Sequence, residues 1–277
     1  MSRSLSSYQF NAPDADTILL SGELECPTEF HVHRFILSAA SPFFQDMFGL
    51  PQPSTLLKSK PVIPVSEHSD VLDTLLRFVY PVPDPIISSL DELVPVLAAA
   101  LKYDLSYPTS AVRQLLISPR FVSTAPIRVY AIACRFDLDD EAKIASRHTL
   151  SVNILDAPLC DDLKHITAYS YHRLLDLHRK RGAAAIRLLK IPDNIKCMQC
   201  NGSAFTMHGS PKWWWEFERM AKEELTVRPC SDVIFGMEFL DRAACESKCP
   251  RCSGSILDSW RFLMELKAAI DALPATI

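Results

Sequence analysis

The 277-residue sequence predicts a mixed α+β fold, mainly α-helical, with its β-structure confined to one end. Three observations lead there. Short alternating apolar runs occur only in the first 108 residues. From Pro108 to about Lys190 apolar positions recur at spacings of three and four, the signature of helices. The last stretch holds two Cys-x-x-Cys pairs, three consecutive tryptophans and an amphipathic end. The expected organisation is therefore a domain over 1–108 with a short three-stranded sheet and helices, a helical extension over 109–190, and a small cysteine-rich helical region over 191–277.

Thr17 to Leu20 reads as the first strand, ended by a turn near Gly22, and Phe30 and Val32 alternate toward His33 as the second. Ser41-Pro42 is an N-cap followed by proline at the first helical position, with Phe43, Phe44, Met47 and Phe48 on the apolar side. Val62, Ile63 and Val65 suggest a third strand, which Pro61 and Pro64 restrict to an edge. Val71, Leu72, Leu75, Leu76 and Val79 predict a helix. Ser89-Leu90-Asp91-Glu92 is a capping-box pattern opening another. Pro119, Pro126 and Pro158 divide the extension into short helices, Pro192-Asp193-Asn194 marks a boundary, and Ile256 to Leu273 predicts one final helix.

Composition narrows the function. A net charge of −4 offers no broad basic field for phosphates, which disfavours nucleic-acid binding. Seven glycines against 20 prolines leave no glycine-dense phosphate-cradling loop. No nucleophile elbow, dinucleotide fingerprint or kinase signature occurs, so no enzyme activity or small-molecule substrate is expected. Met1 to Ser7 lacks the apolar stretch of a secretory signal, and Pro95 interrupts the longest apolar run, Leu93 to Leu101. An intracellular protein, cytoplasmic or nuclear and not membrane-bound, is expected. There, nine cysteines are thiols or metal ligands rather than disulfides.

The strongest local signal is Cys197-Met198-Gln199-Cys200 with Cys249-Pro250-Arg251-Cys252, each pair followed by x-Gly. Two intervening residues let one tight loop aim both sulfurs at one ion, and a glycine just beyond permits a positive φ. The pattern predicts a closed, structural Zn2+ site, with a helix through Trp213 to Leu225 inserted between the knuckles. Free or redox-paired thiols are the competing reading. Cys230, Cys245 and His208 are spare ligand candidates. Trp213, Trp214 and Trp215 read as core packing with one of the three facing outward; a partner anchor is the other reading. His31 and His33 share a strand face without an acidic partner at obvious spacing. His165, His172 and His178 lie in helical segments, and Asp137 to Glu141 reads as a solvated helix start.

Five separated segments, in order, resemble the BTB/POZ family over about residues 8 to 108: Asp16-Thr17-Ile18-Leu19, Phe30-His31-Val32-His33-Arg34-Phe35-Ile36-Leu37, Ser41-Pro42-Phe43-Phe44, Leu75-Leu76-Arg77-Phe78-Val79-Tyr80 and Leu97-Ala98-Ala99-Ala100-Leu101-Lys102-Tyr103. The helices over 109–190 resemble the BACK-type extension, and the C-terminal part is similar to that of fungal BTB proteins. The resemblance implies a non-enzymatic interaction adaptor or scaffold. Its partner would be a second copy or a cullin-type ubiquitin-ligase scaffold; members that bind cullins often carry a hydrophobic-x-Glu motif where this chain reads Leu56-Leu57-Lys58-Ser59-Lys60. Asp16, His33 and Arg34 match positions of a partly buried charged pocket, structural or partner-facing. The alternative functions are a transcriptional or nucleic-acid-associated regulator using the four-cysteine region, and a redox enzyme using Cys-x-x-Cys.

Overall fold

The computed structural model describes residues 4–5, 10–50, 60–202 and 209–277. Strand β1 (Ser4–Leu5) lies parallel to β3 (Thr28–Val32). β3 runs antiparallel to β2 (Thr17–Leu20), and β2 runs parallel to β4 (Val62–Pro64). The three expected strands thus make the sheet, with the two-residue β1 on its outer side, in the order β1-β3-β2-β4. Leu19 faces Phe30 and Thr17 faces Val32, so the period-two alternation puts all four on the buried face. β4 is an edge strand, where Pro64 can lack an N–H without breaking a central ladder.

Helix α1 (Arg34–Ala40) follows β3 directly and was not expected; it buries only Leu37 fully. Helix α2 (Pro42–Gly49) starts as the sequence predicts, with Ser41 Oγ accepting the Phe44 amide at 3.1 Å. The same hydroxyl donates to the Tyr103 carbonyl at 2.5 Å, fastening the cap to the end of a later helix. Helix α3 (Ser69–Val79) buries Val71, Leu72, Leu75 and Leu76. Helix α4 (Leu90–Lys102) is capped by Ser89, whose Oγ accepts the Glu92 amide at 3.2 Å. Glu92 reaches back one residue further than a capping box requires, to the Ser88 amide at 2.8 Å. Helix α5 (Ser106–Leu116) packs on α3 and α4.

The chain divides into two compact units, Met1–Phe121 and Val122–Ile277, the division falling within the four-residue helix α6 (Pro119–Val122). In the second unit, helix α7 (Pro126–Arg135) packs on α8 (Asp139–Thr149). Asp139, Asp140 and Glu141 occupy the first turn of α8, where the macrodipole favours acids. A short 3-10 turn, Asp161–His165, precedes the long helix α9 (Ala168–Leu188), capped by Thr167. Then come α10 (Lys212–Val227), α11 (Met237–Glu246), α12 (Cys252–Asp258) and α13 (Trp260–Asp271). The single final helix expected over 256–273 is two helices, broken at Ser259. There the side chain donates to Ser255 O at 2.6 Å, and the backbone leaves helical geometry. Among the described residues no helix is long and apolar enough to cross a membrane.

Arg181 locks the second unit from within. Only 6% exposed, it donates to Pro229 O at 2.9 Å, Pro274 O at 2.9 Å and Ile270 O at 3.0 Å, and also to Leu273 O. It therefore caps the carbonyl end of α13 from α9.

Candidate functional site

Each cysteine pair is held by a different local device. In the first, the Cys197 amide donates to Asn201 Oδ1 at 2.6 Å, and the Asn201 amide returns to Cys197 O at 3.1 Å, closing the loop. Asn201 is itself buried, and its Nδ2 reaches Ile195 O and Gly209 O, each at 3.4 Å. Gly202 is needed for space. A Cβ there would lie 2.8 Å from Met198 Cα and 3.0 Å from Cys197 O.

The second pair follows α11, and its turn is made by Lys248 at φ 52°. Ser247 Oγ accepts the Cys249 amide at 3.2 Å, and the Cys252 amide donates to Cys249 O at 3.0 Å as α12 begins. The expectation of positive φ at both following glycines is corrected. Among the described residues no glycine has positive φ, and Gly254 sits inside α12 with open space around it. The left-handed residue precedes the second pair instead of following it, because the chain must reverse as it leaves α11.

These loops bring the four Sγ atoms of Cys197, Cys200, Cys249 and Cys252 within 4.8 Å of one another. The cross-pair separations are 3.8 Å for Cys197–Cys249 and 3.9 Å for Cys200–Cys252. A disulfide would hold its sulfurs about 2.05 Å apart. A tetrahedral thiolate site with metal–sulfur bonds of about 2.3 Å has sulfur–sulfur edges of about 3.8 Å. The cluster is therefore compatible with a metal site.

The surroundings are dry but supplied with donors. The four cysteines are between 0% and 9% exposed, within a core that includes Trp213, Trp214, Phe217 and Phe239. Burial pushes the Cys252 thiol up to about 12 and raises Cys200 as well. Burial acts on Cys197 too, but the Cys200 and Gln199 amides point at its sulfur and bring it below the ordinary thiol value. The N-terminus of α10 is aimed at the cluster: the Lys212 amide donates to Cys200 Sγ at 3.4 Å and the Trp213 amide to Cys252. Unpaired amides and the positive helix end both favour negative sulfur.

Trp213 ties the two halves of the cluster together. Its Nε1 donates to Ser255 Oγ at 3.0 Å, and Ser255 donates to Lys196 O at 3.0 Å, linking α10, α12 and the chain entering the first pair. Trp213 and Trp214 are buried whereas Trp215 is 51% exposed, as the core-packing reading expects. The helix expected between the knuckles is α10, joined there by α11. Cys230 and Cys245 stand outside the cluster, and His208 lies outside the described residues. Sequence reasoning missed Asn201, Ser247 and Ser255. Of these only Asn201 carries a signal, a side chain able to close a turn directly after the second cysteine.

In the first unit, Asp16 is exposed and its carboxylate accepts the Arg34 amide at 2.9 Å. The Arg34 guanidinium donates to Thr17 Oγ1 at 3.0 Å and lies 5.3 Å over the Phe48 ring. Asp16 thus binds the first amide of α1 rather than the Arg34 guanidinium. The His33 amide donates to the Tyr80 hydroxyl at 2.8 Å, and the His33 ring approaches Asp14 at 3.5 Å. His31 does have an acidic neighbour, Glu29 at 3.6 Å, two residues back on the same strand face. His165 and His172 are exposed, and the 56–59 segment lies outside the described residues.

A comparison with curated proteins finds no match. The family model for the BTB/POZ domain matches residues 9–119, the span that contains strands β2 to β4 and helices α1 to α5. Residues 9–119 of this chain are a BTB/POZ domain, a module whose role is protein–protein interaction.

Proposed function

We propose that the chain is a non-enzymatic adaptor. Its BTB/POZ head would engage a cullin-type ubiquitin-ligase scaffold, and its C-terminal region, stabilised by one Zn2+ on Cys197, Cys200, Cys249 and Cys252, would contact a second protein. The observation that carries the adaptor reading is the BTB/POZ domain itself. The helices after it resemble a BACK-type extension, the usual spacer between such a head and a recognition region. Support for the metal comes from four nearly solvent-free sulfurs at tetrahedral spacing, with α10 amides directed at two of them. Four protein ligands leave no position for water, so the ion's contribution is to folding. A redox role is disfavoured because all four thiols are buried, burial raises Cys200 and Cys252, and the one lowered thiol, Cys197, is not an exposed nucleophile.

The test is calorimetric titration of the full chain with the N-terminal region of a BTB-class cullin scaffold. Binding at micromolar Kd or tighter, a free energy of about −8 kcal/mol, supports the ubiquitin-ligase reading. Absence of heat and of co-elution rejects it and leaves self-association of the head as the interaction to measure.

A further inference from the structure

The cysteine cluster is ringed by positive charge. Lys196, Lys248 and Arg251 directly precede Cys197, Cys249 and Cys252, and the Lys212 amide donates to Cys200 Sγ at 3.4 Å, so each cysteine has one cation beside it. The segments that carry these cations, 195–202, 210–214 and 247–254, contain no acidic residue. All four cations are exposed, and none has a carboxylate partner among the described residues. Further along α10 the usual pairing returns: Arg219 meets Glu216 and Glu223, Lys222 meets Glu218, and Arg228 meets Glu224.

The fold draws the four cations together. The sulfurs lie within 4.8 Å of one another, so a Cα step of about 3.8 Å and the reach of a cysteine side chain bring all four cationic Cα atoms within about 18 Å. The loops also meet each other, with Gln199 Oε1 3.9 Å from Cys249 Sγ and Ser255 Oγ donating to Lys196 O at 3.0 Å. The sulfurs belong to the apolar core that includes Trp213 and Phe217, so the exposed side chains around them stand on the solvent side. Met198, between the cysteines of the first pair, is 91% exposed there. Four thiolates around one Zn2+ carry a net charge of about −2. Two cations would offset that; the four present leave this face positive on a chain whose net charge is −4.

We infer that this face binds an acidic segment of a partner protein, with an apolar side chain of that segment resting on Met198. The inference rests on the proposed contact between the C-terminal region and a second protein, and it names the chemistry of that contact. Exposed, unpaired cations on a rigid knot attract carboxylates without first breaking an ion pair of their own, and a thioether adapts to the apolar shape that arrives. A peptide suits the face better than a nucleic acid. On the α10 side the patch gives way to glutamates, which repel a polyanion running past it, and four cations release too few counterions for more than weak phosphate binding.

The experiment measures the anisotropy of a fluorescent decapeptide, five glutamates around a central leucine, titrated with the full chain. Kd should weaken about tenfold between about 50 and about 300 mM salt. Binding should vanish when glutamine replaces the glutamates, and Lys196→Glu and Arg251→Glu should each weaken it about three- to tenfold. Lys143→Glu, on α8, should leave Kd unchanged. Serine in place of the peptide leucine should weaken binding to the native chain but not to Met198→Ser. Tryptophan fluorescence checks that each variant is folded. The inference is overturned if the peptide does not bind, if its glutamine version binds equally, or if Lys143→Glu weakens binding as much as Arg251→Glu. It is also overturned if oligothymidylate binds more tightly than the peptide, or if sedimentation shows an oligomer that Arg251→Glu dissolves, since the occupant would then be a nucleic acid or a second copy of the chain. Titration of the same preparation with the cullin scaffold separates the two readings. Peptide failure with scaffold binding retained removes this inference and leaves the adaptor; peptide binding without scaffold binding does the reverse.

Discussion

Gly202 and Gly254 occupy equivalent places in the sequence, each two residues after a cysteine pair, yet alanine at the two sites should have opposite effects. At Gly202 the new Cβ would meet Met198 Cα at 2.8 Å and Cys197 O at 3.0 Å, both backbone, with no flexible side chain to yield. Relief requires the first knuckle to move by about half an ångström, and overpacking of this kind costs about 1–3 kcal/mol. At Gly254 nothing lies within 4 Å, and the residue is inside α12, where alanine gains about 0.5–1 kcal/mol over glycine. In a domain of 150–250 residues each kcal/mol moves Tm by about 2–4 °C. Gly202→Ala should therefore lower Tm by roughly 2–12 °C, and Gly254→Ala should raise it by up to about 4 °C. Tryptophan fluorescence is the natural assay, because all four tryptophans, Trp213, Trp214, Trp215 and Trp260, lie in the second unit. Competition for zinc with a chromogenic chelator should show weaker retention in Gly202→Ala alone. Equal shifts in the two variants would refute the reasoning, since the glycines would then serve the common conformational purpose that their spacing suggests.

Three further outcomes are expected. Mass spectrometry under native conditions should find one Zn2+ per chain; chelation, or Cys252→Ser, should abolish the cooperative fluorescence transition, and a zinc-free protein with an unchanged midpoint would remove the metal from the fold. Arg181→Met should cost about 2–4 kcal/mol in urea unfolding, because four backbone carbonyls lose the guanidinium and only Ile270 O is shown to keep a second donor, the Leu273 amide; a change under about 0.5 kcal/mol would mean that water replaces the guanidinium. Burial holds His178 down at about 4 against an ordinary value of 6.5, so the unfolded chain binds a proton in this window that the native state refuses. Stability should then fall as pH drops from 6.5 to 4, by about 3 kcal/mol at the limit, and His178→Gln should flatten that slope.

The sequence revealed those parts of the fold that rest on local chemistry. The Ser41-Pro42 start of α2, the Ser89 cap of α4 and the edge strand beside Pro64 each follow from a few adjacent residues. Helix α1 escaped because its seven residues bury one side chain fully and leave Phe35 exposed, so no apolar stripe announces it. The break at Ser259 was hidden for a different reason. Serine is no strong helix breaker; its hydroxyl bond to Ser255 acts in a context that only the docked α12 creates. The four cysteines were legible from spacing, but the devices that hold them were not. Ser255 acts through partners 42 and 59 residues away in sequence, which leave no local mark, whereas Asn201 and Ser247 close turns only four and two residues away with residue types common in any turn.

The 52 residues separating each cross-paired cysteine have a consequence for how the second unit assembles. Helices α10 and α11 lie inside the loop that the cluster closes, and an untethered loop of that length resists closure. An equivalent covalent cross-link would remove on the order of 4 kcal/mol of chain entropy from the unfolded ensemble. In the finished structure α10 supplies amides to two of the sulfurs and α11 returns the chain to the second pair, so an ion bound there would act as a latch on the folded unit. Folding of this unit should accordingly be slow to begin and hard to reverse. Its lifetime would be governed by how seldom the two ends of that long loop part at the same moment.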